Sequence, residues 1–135
     1  MKIKLLLGLF LVFVFGSFQI IEAHDKQQLK LQVNQEKKIS KSGVTVKFVS
    51  VLEDSRCPVD TNCIWAGNAK IQIKLRKSKS AWKTFELNSN SKPETITFEG
   101  YEIKLTDLNP KMRSNIRINR NGYIATFAIN HQTKS

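Results

Sequence analysis

The sequence predicts an all-β protein, a single antiparallel β-sandwich or partly open barrel of about seven or eight short strands. Apolar and polar residues alternate with a period of two along most of the chain, as expected for strands with one dry face and one wet face. Clusters of Gly, Pro, Asn and Ser separate these stretches and are typical of turns. No stretch long enough for a packed helix shows a convincing 3.6-residue period.

Three strands are predicted in the first part of the chain. The first covers residues 29–33, and the second begins at Val44 and continues through an apolar run to Leu52. Residues 35–42 are too polar to assign. The third strand, residues 69–76, shows the cleanest alternation, with Ala, Ile and Leu on one face and Lys, Gln and Arg on the other.

The remaining strands are predicted from shorter patterns. They cover residues 82–87, 95–98 and 101–105, then a short strand around Ile116 and Ile118, and a last strand over 123–129 that follows the turn dipeptide Asn121-Gly122.

Residues 1–23 are typical of a secretory signal peptide. Lys2 and Lys4 supply the positive start, and the apolar run that follows ends before a small-residue cleavage site. That run is shorter than the roughly 20 apolar residues a membrane span needs. No cysteine lies near the cleavage site, so a lipoprotein is not expected. We expect residues 24–135 to form one exported domain, periplasmic or secreted, without a transmembrane span.

The charge balance favours an acidic partner. The chain has 22 Lys and Arg against 11 Asp and Glu, a formal net charge of +11. Such a balance favours contact with an acidic envelope polymer or an acidic protein surface, or else only keeps an exported protein soluble. No specific nucleic-acid recognition is expected.

The two cysteines, Cys57 and Cys63, are the only ones in the chain. In an exported protein, cysteines this close are expected to pair, and closing the loop stabilises the fold by about 2 kcal/mol. Their spacing is not the Cys-x-x-Cys of redox proteins. His24 and His131 sit at the two ends of the mature chain, which disfavours a zinc site. We therefore expect a structural disulfide and neither a metal nor a cofactor.

The cysteine segment resembles a family signature. The sequence DSRCP at 54–58, followed by Cys63 and by WAG at 65–67, is similar to that of a family of small exported bacterial β-domains that are uncharacterised. Residues 101–105 and Tyr123 extend the resemblance over most of the mature domain. It implies export and a β fold and brings no activity. Many relatives carry a lipid-attachment cysteine at the end of the signal, which this chain does not have.

Arg56 and Trp65 are candidate binding residues with two interpretations each. Arg56 is either an exposed specificity side chain, as on a protease inhibitor, or a structural group that pairs with Asp54 or stacks on Trp65. Trp65 is either a platform for a ligand or a side chain that fills the edge of the core.

Asp60 and Asn62 complete the candidate loop. Their alternating oxygens resemble a Ca²⁺-binding loop, but the characteristic glycine and distal glutamate are missing. Gly67 is expected to occupy a turn that requires a positive φ.

A basic face is predicted on the hairpin over residues 69–87. Trp82 should point outward if Phe85 and Leu87 point inward. Cations with an interleaved aromatic can hold a polyanion, whereas lysines on outer strands can also simply prevent edge-to-edge pairing. The candidate face comprises Lys70, Lys74, Arg76, Lys77, Lys79 and Trp82, and a second basic cluster comprises Lys111, Arg113, Arg117 and Arg120.

The sequence gives little support for catalysis. Glu53 and Asp54 are adjacent and point to opposite sides of an extended segment, which does not suit a paired-carboxylate site. Both histidines lie near chain ends, and no phosphate-binding glycine loop appears. The leading hypothesis is a non-catalytic binding module. The alternative is a small protease inhibitor that presents the loop Arg56-Cys57-Pro58, and an enzyme comes third.

Overall fold

Eight strands account for the alternating segments of residues 26–132, which are the residues that the computed structural model describes. They form two four-stranded antiparallel sheets with the orders β1-β8-β7-β6 and β2-β3-β4-β5. The predicted signal peptide lies outside the described residues. The strands are β1 (Gln27–Gln32), β2 (Glu36–Lys38), β3 (Val44–Asp54), β4 (Ala69–Lys77), β5 (Lys83–Asn88), β6 (Thr95–Phe98), β7 (Tyr101–Asn109) and β8 (Ile124–His131).

The predicted fold class is confirmed in its sandwich form. The two sheets face each other and do not close into a barrel. Residues 35–42, which the pattern left unassigned, contain the short edge strand β2, and β7 extends beyond its predicted end to Asn109. All three residues of β2 are exposed, and two of them, Lys37 and Lys38, are cationic.

In the segment between β7 and β8, the strand predicted around Ile116 and Ile118 is wrong. Ile116 forms only an isolated bridge with Arg113, because β7 and β8 pair directly with each other and leave no neighbouring strand for this segment. The turn predicted at Asn121-Gly122 is present as a single 3₁₀ turn over Arg120–Gly122, and the side chain of Asn119 accepts a hydrogen bond from the Asn121 amide.

The core lies between the inward faces of the two sheets. Phe48 of β3 and Phe127 of β8 are both fully buried and meet edge to face across the sandwich, with ring centroids 6.4 Å apart. Burying a large apolar side chain stabilises the fold by about 1.5–3 kcal/mol. The alternation in β4 places Ile71, Ile73 and Leu75 in this core.

Two bulges in β3 decide which of its residues reach the core. The register with β4 shifts between Phe48 and Ser50 and again between Val51 and Glu53. Each shift adds one residue to β3, so Ser50 lies opposite Gln72 on the outer face while Val51 packs against the core. The two shifts together restore the original alternation, in which even-numbered residues of β3 point inward. Asp54 therefore turns toward the other sheet at the end of the sandwich.

The bulges generate a prediction that simple alternation would reverse. Val51→Ala removes two partly buried carbons and should lower the free energy of unfolding by roughly 1 kcal/mol, whereas Ser50→Ala should change it by less than about 0.5 kcal/mol. Urea denaturation followed by circular dichroism measures both. A larger loss for Ser50→Ala would mean that β3 runs without these bulges.

Candidate functional site

The segment that joins β3 to β4 is closed by the disulfide between Cys57 and Cys63, which confirms the predicted pairing. Their Cα atoms lie 5.9 Å apart, within the usual range for a disulfide. We call residues 55–68 the clamped loop. It leaves the sandwich at Asp54 and re-enters it at Ala69, which are opposite each other in the β3–β4 register.

Asp54 and Arg56 form an ion pair at the base of the clamped loop. The Nε atom of Arg56 donates to Asp54 Oδ1 at 2.8 Å, and Nη2 donates to Oδ2 at 2.8 Å. The hydroxyl of Tyr123, next to the start of β8, donates to the same Oδ2 at 2.9 Å. The side chains of Asp54 and Arg56 are only 9% and 14% exposed. One carboxylate thus joins the two sheets at this end of the sandwich.

The same guanidinium also reaches β7. Arg56 Nη1 donates to the carbonyl oxygen of Leu108 at 2.6 Å, and Nη2 donates to that of Pro110 at 3.0 Å. Of the two interpretations of Arg56, the structure shows the pairing with Asp54. The side chain is held against the sandwich and is not presented to solvent as an inhibitor would present it.

This network shifts two pKa values in opposite directions. Burial by itself would raise the pKa of Asp54, but the hydrogen bonds from Arg56 and Tyr123 and the positive charge of Arg56 outweigh it and lower that pKa below its usual 3.8. Burial, followed by the hydrogen bond to Asp54 and its negative charge, raises the pKa of Tyr123 to about 12. At neutral pH the carboxyl is therefore ionised and the phenol is protonated, as the hydrogen bond requires.

Asp60 fixes the far side of the clamped loop. Its carboxylate accepts hydrogen bonds from the amide of Ser114 at 3.0 Å and from the Ser114 hydroxyl at 2.7 Å, which lower its pKa. The Val59 amide donates to the carbonyl oxygen of Met112 at 2.9 Å. Asp60 is thus occupied by the segment before β8, and Asn62 is exposed. Within residues 26–132 no group of three or more His, Cys, Asp or Glu could hold a metal ion.

Gly67 closes the return of the clamped loop to β4. Its φ is +68°, as expected from the sequence, and an added Cβ would overlap the carbonyl oxygen of Ser55 and lie 2.8 Å from its carbonyl carbon. The carbonyl oxygen of Gly67 also accepts a hydrogen bond from Asn90 Nδ2 at 3.1 Å.

The tip of the clamped loop is apolar and faces solvent. Ile64 is 92% exposed and Trp65 is 80% exposed. Trp65 therefore does not fill the edge of the core, and it lies free of the guanidinium of Arg56, which is directed to Asp54, Leu108 and Pro110. We call Ile64 and Trp65 the apolar tip.

The predicted basic hairpin is present, with one of its cations neutralised. Lys70 lies 3.8 Å from the carboxylate of Glu53, whereas Lys74 has no such partner among the described residues. The guanidinium of Arg76 lies over the ring of Trp82, 4.3 Å from its centroid. Lys77, the last residue of β4, and Lys79, in the turn before β5, are both exposed.

Sequence reasoning missed two cations that neighbouring strands add to this hairpin. Lys47 of β3 lies directly opposite Lys74, and Lys38 of β2 lies opposite Thr45, which in turn lies opposite Arg76. The alternation in β3 predicts that Lys47 points outward, but the strand order and register that bring it to Lys74 are not visible in the sequence. From here on, the name basic face is used for Lys38, Lys47, Lys74 and Arg76, together with Trp82. Of the predicted face, this set leaves out Lys70, Lys77 and Lys79.

The acidic residues near the basic face are few. Glu36 lies opposite Lys47 in the register, yet within residues 26–132 no carboxylate comes within ion-pair distance of Lys47. Glu86 lies opposite Gln72, in the next row along the sheet. The Nε atom of Arg76 is buried without a hydrogen-bond partner among the described residues.

A shallow groove of about 870 Å³ runs beside the Asp54 network. Val33, Leu52, Ile118 and Tyr123 are among the side chains that line it. Its buried ionisable groups, Asp54 and Tyr123, already bind each other. The groove therefore offers a partly apolar surface and no free nucleophile or base from this network.

Comparison with models of protein families, with curated proteins and with solved structures gives no significant match. Within the described residues, no helix has the length and apolar character needed to cross a membrane.

The Asp54 network predicts a specific loss of stability in acid. Because the folded pKa of Asp54 is lower than its unfolded value, its contribution is complete above about pH 3.8 and is lost as the pH falls through the folded pKa. Asp54→Asn should cost roughly 2–4 kcal/mol at pH 7, since it leaves Arg56 buried without its counter-charge. The difference from the unaltered protein should shrink below pH 4. Urea denaturation at several pH values measures it, and a difference that stays constant would contradict the assignment.

Comparing an alanine substitution at Gly67 with one at a control glycine separates the cost of the close approach from the cost of backbone strain. Gly67→Ala should destabilise the protein by roughly 2–4 kcal/mol, since both the positive φ and the contact with Ser55 are unfavourable. Gly100→Ala is the control, because Gly100 also has a positive φ of +78° but has open space around it, so only the strain of about 1–2 kcal/mol remains. Equal losses in thermal unfolding would rule out the contact.

Proposed function

We propose that the protein is an exported, non-catalytic binding module whose basic face holds an anionic polymer. The observation that supports this most is the direct opposition of Lys47 and Lys74 in the β3–β4 register, without an ion-pair partner for either among the described residues. Like charges that face each other across two strands destabilise a sheet. A polyanion that lies across both strands would attract both ammonium groups and so offset the repulsion between them.

The position of these lysines argues against a purely protective role. Lysines that prevent edge-to-edge pairing belong on edge strands. β3 and β4 are the two interior strands of their sheet, with β2 and β5 at its edges. Lys47 and Lys74 therefore have no edge to protect, and their shared face stays open to a ligand.

Arg76 and Trp82 give the basic face its geometry. Stacking on the indole fixes the plane of the Arg76 guanidinium, which lowers the entropy lost when it binds an anion. A planar guanidinium can bind sulfate, phosphate or carboxylate through two parallel hydrogen bonds. The ligand class that fits is thus a polymer with repeated anionic groups, such as an acidic envelope polymer.

The burial of Arg56 counts against the inhibitor alternative. An inhibitor loop needs a specificity side chain that is free to enter a cleft, whereas Arg56 makes hydrogen bonds to Asp54, Leu108 and Pro110. No observation favours catalysis over binding.

A charge-matched pair of variants tests the basic face. With heparin as the probe, Lys47→Ala plus Lys74→Ala should lower the affinity at low salt by about tenfold and should reduce the slope of log affinity against log salt by about two. The fold should not lose stability, since the substitutions remove a repulsion. Titration calorimetry over a series of salt concentrations and a thermal unfolding curve measure both effects.

The control removes the same charge from the other sheet. Lys30→Ala plus Lys104→Ala alters two exposed lysines on β1 and β7 and should leave affinity and salt slope nearly unchanged. If both double variants weaken binding equally, the interaction depends on net charge alone and the basic face is not a site.

A further inference from the structure

We propose that the apolar tip inserts into the interfacial region of an anionic phospholipid bilayer. This surface lies apart from the basic face and the inference does not rest on polymer binding. β4 begins beside the clamped loop at Ala69, and Lys74 lies five residues further along it, about 17 Å away at 3.4 Å per residue. The two surfaces therefore occupy different ends of the molecule.

The exposed apolar side chains of residues 26–132 gather at the end of the sandwich that carries the clamped loop. That end is defined by the contacts of Asp54 with Tyr123 and of Arg56 with Pro110. Exposed apolar residues that cluster mark interaction surfaces, whereas scattered ones need no explanation. The large apolar residues with the greatest exposure are Leu52, Val59, Ile64, Trp65, Ile116 and Ile124, and each lies in or beside a loop at this end or within two residues of a strand terminus there.

The apolar tip projects from a loop that is fixed on both sides. The disulfide and the hydrogen bonds of Asp60 to Ser114 hold the segment before it, and the contacts of Gly67 with Asn90 hold the segment after it. A fixed loop loses little conformational entropy on binding. A projecting tip requires a matching pocket on a protein partner, whereas a bilayer is soft and accommodates the tip without one.

The segment between β7 and β8, which contacts the clamped loop at Val59 and Asp60, carries cations that complement an anionic surface. Arg113, Arg117 and Arg120 are exposed on the segment between β7 and β8 and form no ion pair within the described residues. Three of the acidic side chains nearby are paired with a cation: Asp54 with Arg56, Asp107 with Lys111 and Glu53 with Lys70. Asp60 is hydrogen-bonded to the neutral Ser114 and keeps its negative charge, so the three arginines outnumber the unpaired carboxylate of the clamped loop. The adjacent loop carries one charge of each sign, Lys92 and Glu94.

An exposed apolar tip, together with unpaired arginines on the segment that contacts the clamped loop, matches the chemistry of a lipid headgroup layer. Tryptophan is favoured at the membrane–water interface, where its ring is buried and its N–H stays hydrated. Guanidinium groups bind lipid phosphates, and each cation near an anionic surface raises the binding constant by about fivefold. Ile64 adds apolar area to the insertion.

The test uses Trp65 as its own reporter. Trp82→Phe leaves Trp65 as the only tryptophan of the full-length chain, and residues 1–23 contain none. With vesicles that contain phosphatidylglycerol, we expect the emission of Trp65 to shift to the blue, to become protected from an aqueous quencher and to be quenched by brominated lipid. With vesicles of phosphatidylcholine alone, these changes should be much smaller.

Two further variants in the Trp82→Phe chain separate the electrostatic contribution to vesicle binding from the apolar one. Arg117→Ala plus Arg120→Ala should lower the partition of the protein onto anionic vesicles by about 25-fold, while Ile64→Ser should lower it on the order of tenfold. Lys47→Ala plus Lys74→Ala, which removes the same charge from the basic face, should leave the blue shift of Trp65 in place.

Three outcomes would overturn the inference. Vesicle binding without protection of Trp65 would mean that another surface meets the lipid. Equal protection by neutral vesicles would remove the role of the arginines. A blue shift with an acidic soluble protein but not with anionic vesicles would show that the partner is a protein.

Discussion

The carboxylate of Asp54 is the interaction on which this end of the molecule depends. It accepts hydrogen bonds from Arg56, two residues further along, and from Tyr123, which directly precedes β8 of the opposite sheet. Arg56 then extends the connection to the carbonyl oxygens at the end of β7. Three strand ends from two sheets are thereby joined through one ion pair, which is shielded from water because both side chains are largely buried.

Rigid attachment explains how the clamped loop can keep apolar side chains in water. An isolated loop with Ile and Trp at its tip would gain free energy by folding back onto the sandwich. Here the disulfide, the contacts of Asp60 with Ser114 and the close approach at Gly67 fix the path of the backbone, so the apolar tip has no route back to the core. The contacts that fix the base of the clamped loop therefore also keep the apolar tip exposed.

Much of the fold could be predicted from the sequence, because alternation reports local burial. The β4 pattern identified Ile71, Ile73 and Leu75 as core residues, and export together with close spacing predicted the disulfide. The short β2 could not be found, since a three-residue edge strand has too little apolar content to give a period. The strand assigned near Ile116 failed because alternation cannot tell whether a pairing partner exists.

The candidate surfaces were harder to predict than the fold. The pairing of Lys47 with Lys74 depends on register, and the register depends on strand order and on bulges in β3 that no local pattern reveals. The role of Arg56 required knowing that Asp54 turns inward beside Tyr123. The resemblance to small exported bacterial β-domains stays a prediction, as do export and the absence of catalysis.

The short strand β2 has a consequence for molecules that gather on a shared ligand. Binding to a polymer or a membrane raises the local concentration of the protein, and crowded β-proteins can join through their open borders into fibrils. β2 offers only three residues at its border, and Lys37 and Lys38 place positive charge there. With Glu36 included, β2 carries a net charge of +1, so a second molecule approaching with its own β2 meets like net charge along a border of only three residues, which disfavours pairing of the two sheets there.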